Sequence, residues 1–266
     1  MNARTNMAEI FYIDATVLIN APDYIYNTLI HELQHMINFN EKTIQHGIAS
    51  ETWYNEMLSM VAEDLVAPLI GNSVTSRSHP VQVRIPNFLE AYSQIGTTEW
   101  LEGTNIDEIL DQYGVTYAFG AYLVRNFGGP SLIRRIAQNN TTGVDSISSA
   151  LQDTNDTYFE QALSRFGEAM IFSGNYIPSG AKTFDQTVSG SVGGTRYTAH
   201  GFDIWSMYQA RNNRIGPSVF SLNQANMRPH SILIHSSNAW QNVSGSFSVT
   251  LEKPANENRN TRCFTG

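Results

Sequence analysis

The sequence predicts an α+β protein that is rich in helices at first and rich in strands at its end. From Tyr24 to about Phe172, apolar side chains recur with helical spacing. After Ser173 and Gly174, the pattern changes to short alternating segments separated by Gly, Ser and Thr, which is typical of strands joined by turns. We therefore expect a helical domain over residues 1–173 and a β-rich accessory region over residues 174–266.

The composition supports a folded chain and excludes several classes of function. Apolar residues make up 41% of the 266 residues and aromatic residues 11%, which is enough to build a buried core. No apolar run approaches the roughly 20 residues of a transmembrane helix, so we expect no membrane span. With 16 basic and 24 acidic residues the net charge is −8, and we expect no nucleic-acid partner.

The scarcity of cysteine limits the kinds of metal site. Because Cys263 is the single cysteine, a disulfide framework and a thiolate cluster are excluded, and any metal must bind His, Asp or Glu. Only three of the basic residues are lysines, while Asn, Ser, Thr and Gly are abundant, which favours a secreted, cell-surface or periplasmic protein. Met1–Arg4 lack the apolar run of a signal peptide, so we expect any signal to be absent from this chain.

The first elements are predicted to be a strand and a helix. Glu9–Asp14 are rich in β-branched and aromatic residues, which predicts a short buried strand. A helix then begins near Tyr24, with Asp23 as its cap, and ends in the polar run Asn38–Asn40. Its apolar residues follow a helical period: Ile25, Leu29, Leu33, Met36 and Ile37.

A second helix is predicted from about Glu51 to Val66. Ser50 is placed to cap it and Pro68 to stop it. Residues 71–105 are expected to be mostly loop. Four further helices are predicted over Ile106–Phe127, Ser131–Gln138, Val144–Gln152 and Thr157–Phe172. In the last region, Phe247–Leu251 alternate as a strand would.

The chemistry is concentrated in the segment His31-Glu32-Leu33-Gln34-His35, an HExxH motif inside the first predicted helix. Residues four apart share one helical face, so both imidazoles can reach the same zinc ion. Glu32, beside the first of them, can hold a zinc-bound water as a general base. The motif therefore predicts a zinc site with catalytic potential.

A third protein ligand is needed, and the sequence offers more than one. Glu56 lies 21 residues after His35 in the second helix, among apolar side chains, where a buried carboxylate needs a partner. Glu41 lies six residues after His35, where another HExxH class carries its third ligand, with Asn38 in place of that class's glycine. We favour Glu56, with Glu41 as the alternative and His46 as a further possibility.

Two segments carry a family resemblance. The segments HELQHMINF at residues 31–39 and WYNEMLSMVAED at residues 53–64 resemble the hyicolysin-type family of bacterial neutral zinc metallopeptidases, in the gluzincin group. The resemblance is good over about residues 9–66 and weaker to about residue 172. It implies a zincin-like, α-rich metallopeptidase core that binds Zn²⁺ through His31, His35 and Glu56.

The same resemblance suggests further site residues. Related gluzincins carry a helical tyrosine that donates to the oxyanion, and the helix around Tyr113 implies Tyr113 for this role, with Tyr117 one turn later. Thermolysin-like enzymes place an additional histidine far downstream, for which His200 is the candidate. Glu63, seven residues after Glu56 on the same helical face, is a candidate to accept the free ring nitrogen of a zinc-bound histidine.

These inferences lead to one preferred function and one alternative. The preferred function is a zinc-dependent endopeptidase acting on peptide or protein substrates. The alternative is a non-catalytic or truncated zincin-like binding or adhesion module that retains a structural zinc. Only one strand is predicted before the motif helix, whereas extended substrates pair with a sheet edge. We therefore expect weak or no hydrolysis by this chain alone.

Overall fold

A computed structural model of the protein describes residues 10–103, 105–155, 157–174, 177, 179–204, 206–207 and 230–232. Over these residues, eight α-helices precede one two-stranded antiparallel sheet, and the α+β class is confirmed. The helices are α1 Ala15–Asn20, α2 Pro22–Asn38, α3 Thr52–Val66, α4 Pro80–Ala91, α5 Ile106–Asn126, α6 Pro130–Gln138, α7 Gly143–Asn155 and α8 Phe159–Ile171. The strands are β1 Val188–Val192 and β2 Thr195–Ala199.

The short N-terminal strand predicted over Glu9–Asp14 is wrong for its described residues, Ile10–Asp14, which form no strand. The Asp14 side chain instead caps α1 by accepting hydrogen bonds from the backbone N–H groups of Thr16 and Val17. Tyr12 is 83% exposed, so the segment is not buried either. A strand is stable only when neighbours satisfy its backbone, and in the described part of the chain none pairs with this segment.

Helix α2 forms as predicted but begins and ends differently. Pro22 stands in its first turn, where the missing N–H costs nothing, and the N-cap is Ala21 rather than Asp23. At its C-terminal end the chain widens into a π-helix, Phe39–Ile44, instead of stopping at the asparagines.

A buried lysine anchors this π-helix. The Lys42 ammonium donates to the carbonyl oxygens of Ile136 (2.8 Å) and Asn139 (2.6 Å) and to Asn139 Oδ1 (3.0 Å). These carbonyls lie at the C-terminal end of α6, where a positive charge complements the helix dipole. The end of α2 is thereby attached to the α6–α7 layer.

Helices α3 and α5 form the centre of the core. Tyr54, Met57, Leu58, Met60 and Val61 of α3 are completely buried. The C-terminal half of α5 is buried along its whole circumference. Such a helix must be surrounded by other elements, and α5 packs against both α3 and α4.

Helix α4 lies where loop was expected, at residues 71–105. Pro80 occupies the first turn, and His79 caps the helix by accepting the Val81 N–H through its Nδ1 atom at 3.2 Å. Pro86 stands inside the helix. This internal proline disfavours a helix locally, whereas Pro80 in the first turn does not, and burial of Val81, Ile85 and Phe88 against the core outweighs the cost.

Two glycines allow α5 to approach its neighbours. A Cβ at Gly114 would lie 2.5 Å from the Phe88 backbone nitrogen and 2.8 Å from the Arg84 carbonyl oxygen, both in α4. A Cβ at Gly120 would lie 2.6 Å from Val61 and 2.7 Å from Met57, both in α3. The absence of side chains at these positions therefore sets the spacing of the three central helices.

The described residues after 174 contain one two-stranded hairpin, within the region predicted to be β-rich. β1 and β2 pair antiparallel from Val188 opposite Ala199 to Val192 opposite Thr195. Phe184, Ala199 and Phe202 belong to the same buried cluster as α3 and α5. The domain boundary near residue 174 stays a prediction, and the predicted strand Phe247–Leu251 lies outside the described residues.

In the described part of the chain, no helix combines the length and apolarity needed to cross a bilayer.

Replacing Gly114 by alanine should lower the free energy of unfolding by about 1–3 kcal/mol, because the new methyl group meets backbone atoms of α4 that cannot move aside. The matched control is Gly167→Ala in α8, where a Cβ meets nothing within 4 Å. There the gain in helix propensity should raise stability by about 0.5–1 kcal/mol. Urea unfolding measures both. Equal effects at the two sites would contradict close α4–α5 packing.

Candidate metal centre

Helix α2 presents the HExxH side chains as the motif predicts. Potential ligand atoms of His31, Glu32 and His35 all lie within 4.8 Å of one another. The two imidazole rings stand edge to face, with centroids 4.6 Å apart. His31 is 9% exposed, whereas Glu32 faces solvent. One turn of helix thus places two nitrogen donors beside an accessible carboxylate.

Glu56 of α3 joins the two histidines. Its Oε2 atom lies 3.0 Å from His31 Nε2 and 3.5 Å from His35 Nε2. Two ring nitrogens and one carboxylate oxygen therefore converge from two helices. Glu32 also lies near both histidines, but its exposure suits a group that meets solvent, while Glu56 is enclosed between both rings.

The other nitrogen of each ring has a partner on α3. His31 Nδ1 donates to Glu63 Oε1 at 2.7 Å, and His35 Nδ1 lies 3.0 Å from the Ser59 hydroxyl. These contacts hold the rings so that both Nε2 atoms face Glu56. Hydrogen bonds of this kind orient metal-binding histidines and raise their basicity.

The electrostatics of the cluster favour a positive charge. Burial by itself would lower the pKa of His31, but hydrogen bonds to Glu56 and Glu63 raise it to about 9. Burial would also raise the pKa of Glu56, yet hydrogen bonds from His31 and His35 lower it to about 2. The carboxylates thus stabilise a cation between the helices, whether it is a proton or a metal ion.

The donor set fits a divalent zinc ion. Zinc binds imidazole nitrogen and carboxylate oxygen, and catalytic sites combine three protein ligands with one open position. Here His31, His35 and Glu56 would supply those three donors, and the rings are already held by Glu63 and Ser59.

Tyr113, the predicted oxyanion donor, lies beside this cluster. Its ring centroid is 6.5 Å from that of His31, and its other neighbours are the Trp100 ring at 5.2 Å and the Arg84 guanidinium at 5.1 Å. Burial and the nearby charge of Glu56 raise the pKa of Tyr113 above its ordinary value. The phenol therefore keeps its proton and can donate it in a hydrogen bond.

Tyr117 is placed differently. It is completely buried one turn further along α5, and its hydroxyl donates to Asp64 Oδ2 at 3.0 Å. Burial and the charge of Asp64 raise its pKa well above the ordinary value. Its one donor is thus already used, which leaves Tyr113 as the tyrosine that adjoins the histidines.

The structure does not bring the remaining candidates into the cluster. Glu41 lies on the π-helix and accepts a hydrogen bond from Gln45 at 3.4 Å. His46 is exposed after the π-helix. His200 is also exposed, and its backbone carbonyl, rather than its ring, is bound by Arg125.

Comparison with known proteins shows the family of the chain. The profile of a family described as peptidase M30 matches residues 2–183. The chain belongs to the peptidase M30 family. It is also 23% identical over 156 residues to the neutral metalloprotease ShpI of Staphylococcus hyicus, a match that covers 55% of this chain and 33% of that relative. The chain thus spans about a third of the relative's length.

Several residues of this M30 chain that surround the cluster were not predicted. Ser59 could have been found, since it lies three residues after Glu56, one turn along the same helix. Arg84, whose Nη2 lies 3.9 Å from Glu63 Oε1, could not, because α4 itself was not predicted. Asp64 and Arg125 are 61 positions apart, and nothing local in the sequence indicates their pairing.

Proposed function

We propose that this M30 chain is a zinc-dependent endopeptidase whose metal ligands are His31, His35 and Glu56. The observation that carries the proposal is the convergence of both Nε2 atoms on Glu56 Oε2, at 3.0 and 3.5 Å. Membership of a peptidase family and similarity to a metalloprotease support it. When bound there, zinc would lower the pKa of a coordinated water and polarise a carbonyl.

Four further residues then have separate roles in hydrolysis. Glu32, exposed beside His31, accepts the proton of the attacking water and returns it to the leaving amine. Tyr113, whose ring lies 6.5 Å from that of His31, donates a hydrogen bond to the oxyanion. Glu63 and Ser59 hold the rings in place. Peptide hydrolysis proceeds in this scheme without a covalent intermediate.

Peptides or proteins are the proposed substrates. The composition, low in lysine and rich in small polar residues, supports a secreted, cell-surface or periplasmic location.

One observation favours the alternative, a binding or adhesion module with a structural zinc. The described residues contain a single sheet, and its two strands follow residue 187. No strand accompanies α1 or α2 over Ile10–Asn38 to offer an edge for an extended substrate. The two functions share the metal ligands and differ in whether Glu32 is needed.

Removal of a ligand should abolish zinc binding. We expect about one zinc per chain in the wild type, and little or none after His31→Ala, His35→Ala or Glu56→Ala, because too few protein donors remain. Glu41→Ala is the matched control, a carboxylate removed from the adjoining π-helix, and should keep full zinc. Emission spectrometry measures the content. Full zinc content in Glu56→Ala with none in Glu41→Ala would show that Glu41, and not Glu56, is the third ligand.

Replacing Glu32 by glutamine should separate chemistry from metal binding. The amide cannot accept the proton, so hydrolysis of a quenched peptide should fall at least 10²-fold while zinc content stays unchanged. Both quantities are measured on the same preparations. Wild-type protein that binds zinc but hydrolyses neither casein nor peptides would favour the binding module.

Conversion of Tyr113 to phenylalanine removes one donor and changes little volume. We expect kcat to fall about 10²-fold, with zinc content and thermal stability retained. Steady-state kinetics with the same peptide measures the effect. A normal kcat for this variant would exclude Tyr113 as the oxyanion donor.

A further inference from the structure

Asp64 lies next to Glu63 in α3, but its carboxylate binds residues of the core rather than His31 or His35. It is 1% exposed. Its two oxygens form a bidentate pair with Arg125 of α5, from Nη1 to Oδ2 at 2.7 Å and from Nη2 to Oδ1 at 3.2 Å. Tyr117 donates to Oδ2 at 3.0 Å, and His79 Nε2 lies 3.8 Å from Oδ1. This carboxylate therefore joins α3 to α5 and to the start of α4.

Arg125 extends the same contact to the hairpin. Nε and Nη2 donate to the His200 carbonyl oxygen at 3.0 and 2.8 Å, and Nη1 also donates to the Ala121 carbonyl oxygen at 3.1 Å. With the two bonds to Asp64, the guanidinium uses the five N–H groups that an arginine has. Its flat face also lies 4.9 Å from the Phe202 ring. One buried side chain thus binds α3 and the residue after β2 together.

The geometry of α3 connects this pair to the metal centre. At about 100° per residue, Glu63 lies within about 20° of Glu56 around the helix, and Asp64 lies about 80° away. The bond between Arg125 and Asp64 therefore fixes the rotation of α3 about its axis, and α3 carries both Glu56 and Glu63. A rotation of about 10° would move a side-chain atom about 1 Å, since such atoms lie about 5–6 Å from the axis.

We propose that Arg125 is a positioning residue for the metal centre. Through Asp64 it holds α3 in the rotation about its axis at which Glu56 and Glu63 contact His31. Through the His200 carbonyl oxygen it also attaches the β1–β2 hairpin to α5. This inference rests on the proposed zinc site. In the described part of the chain, Arg125 binds Asp64 and the His200 and Ala121 carbonyl oxygens and not His31, His35 or Glu56, so it acts on the metal centre through α3.

Lysine cannot replace arginine in this role. The ammonium group keeps the charge, but its three donors sit on one nitrogen atom, so it cannot reproduce the five hydrogen bonds that the planar Arg125 guanidinium makes to Asp64 and to the His200 and Ala121 carbonyl oxygens. Arg125→Lys therefore preserves the charge balance of the core and removes the bidentate contact that orients Asp64.

Asn126, the next residue of α5, offers the matched control. Its Nδ2 donates to the Thr183 carbonyl oxygen at 2.9 Å, so it also attaches the C-terminal segment to α5. It has no recorded hydrogen bond to α3 among the described residues. Asn126→Ala should weaken the same attachment without releasing Asp64.

The experiment measures zinc affinity by chelator competition, well below the unfolding temperature, for wild type, Arg125→Lys, Asp64→Asn, the double variant and Asn126→Ala. We expect at least a tenfold loss for Arg125→Lys and Asp64→Asn, no larger loss for the double variant than for the stronger single one, and no loss for Asn126→Ala. Circular dichroism and thermal unfolding record the fold of each.

Unchanged zinc affinity in Arg125→Lys, whatever its melting temperature, would overturn the proposal and leave the zinc site standing. Equal losses in Arg125→Lys and Asn126→Ala would also overturn it. Wild-type protein without zinc affinity would instead refute the proposed function. If Arg125→Lys does not fold, Tyr117→Phe decides, because it removes only one hydrogen bond to Asp64: a twofold to fivefold loss of affinity supports the proposal, and none overturns it.

Discussion

The contact between α2 and α3 is the constraint on which the rest of the structure depends. It encloses His31 between two carboxylates, with Glu56 at 3.0 Å from one ring nitrogen and Glu63 at 2.7 Å from the other. Charged groups this poorly exposed are tolerable only when they are paired. The helices must therefore keep their separation and rotation, since a shift that broke either contact would leave a buried charge without a partner.

The packing of α3 against α5 also keeps α3 in its position and rotation. On its side facing the core, α3 presses Met57 and Val61 against Gly120 of α5. On a second side, Asp64 binds Arg125 in a pair that is almost completely buried. Apolar contact sets the distance between α3 and α5. The ion pair fixes the orientation of α3 relative to α5, because a bidentate guanidinium–carboxylate contact has one favourable geometry.

Much of the helical part could be predicted because its signals are local. The period of apolar residues in α2, α3 and α5 reflects one buried face, and a helix satisfies its own backbone wherever it lies. The prediction of a strand at Ile10–Asp14 was wrong for the opposite reason, since a strand depends on partners that its own sequence does not specify. Helix α4 was missed because Pro86 disfavours a helix locally, while the burial of the helix depends on α5.

By itself the sequence determined the HExxH pair, because the positions of His31 and His35 follow from one turn of a helix. It also left Glu41, Glu56 and His46 as possible companions of that pair. Only the tertiary structure decided that Glu56 lies between the two rings, that Tyr113 rather than Tyr117 adjoins them, and that Asp64 meets Arg125. These contacts join residues far apart in the chain, and their distances depend on how helices pack, which no local pattern encodes.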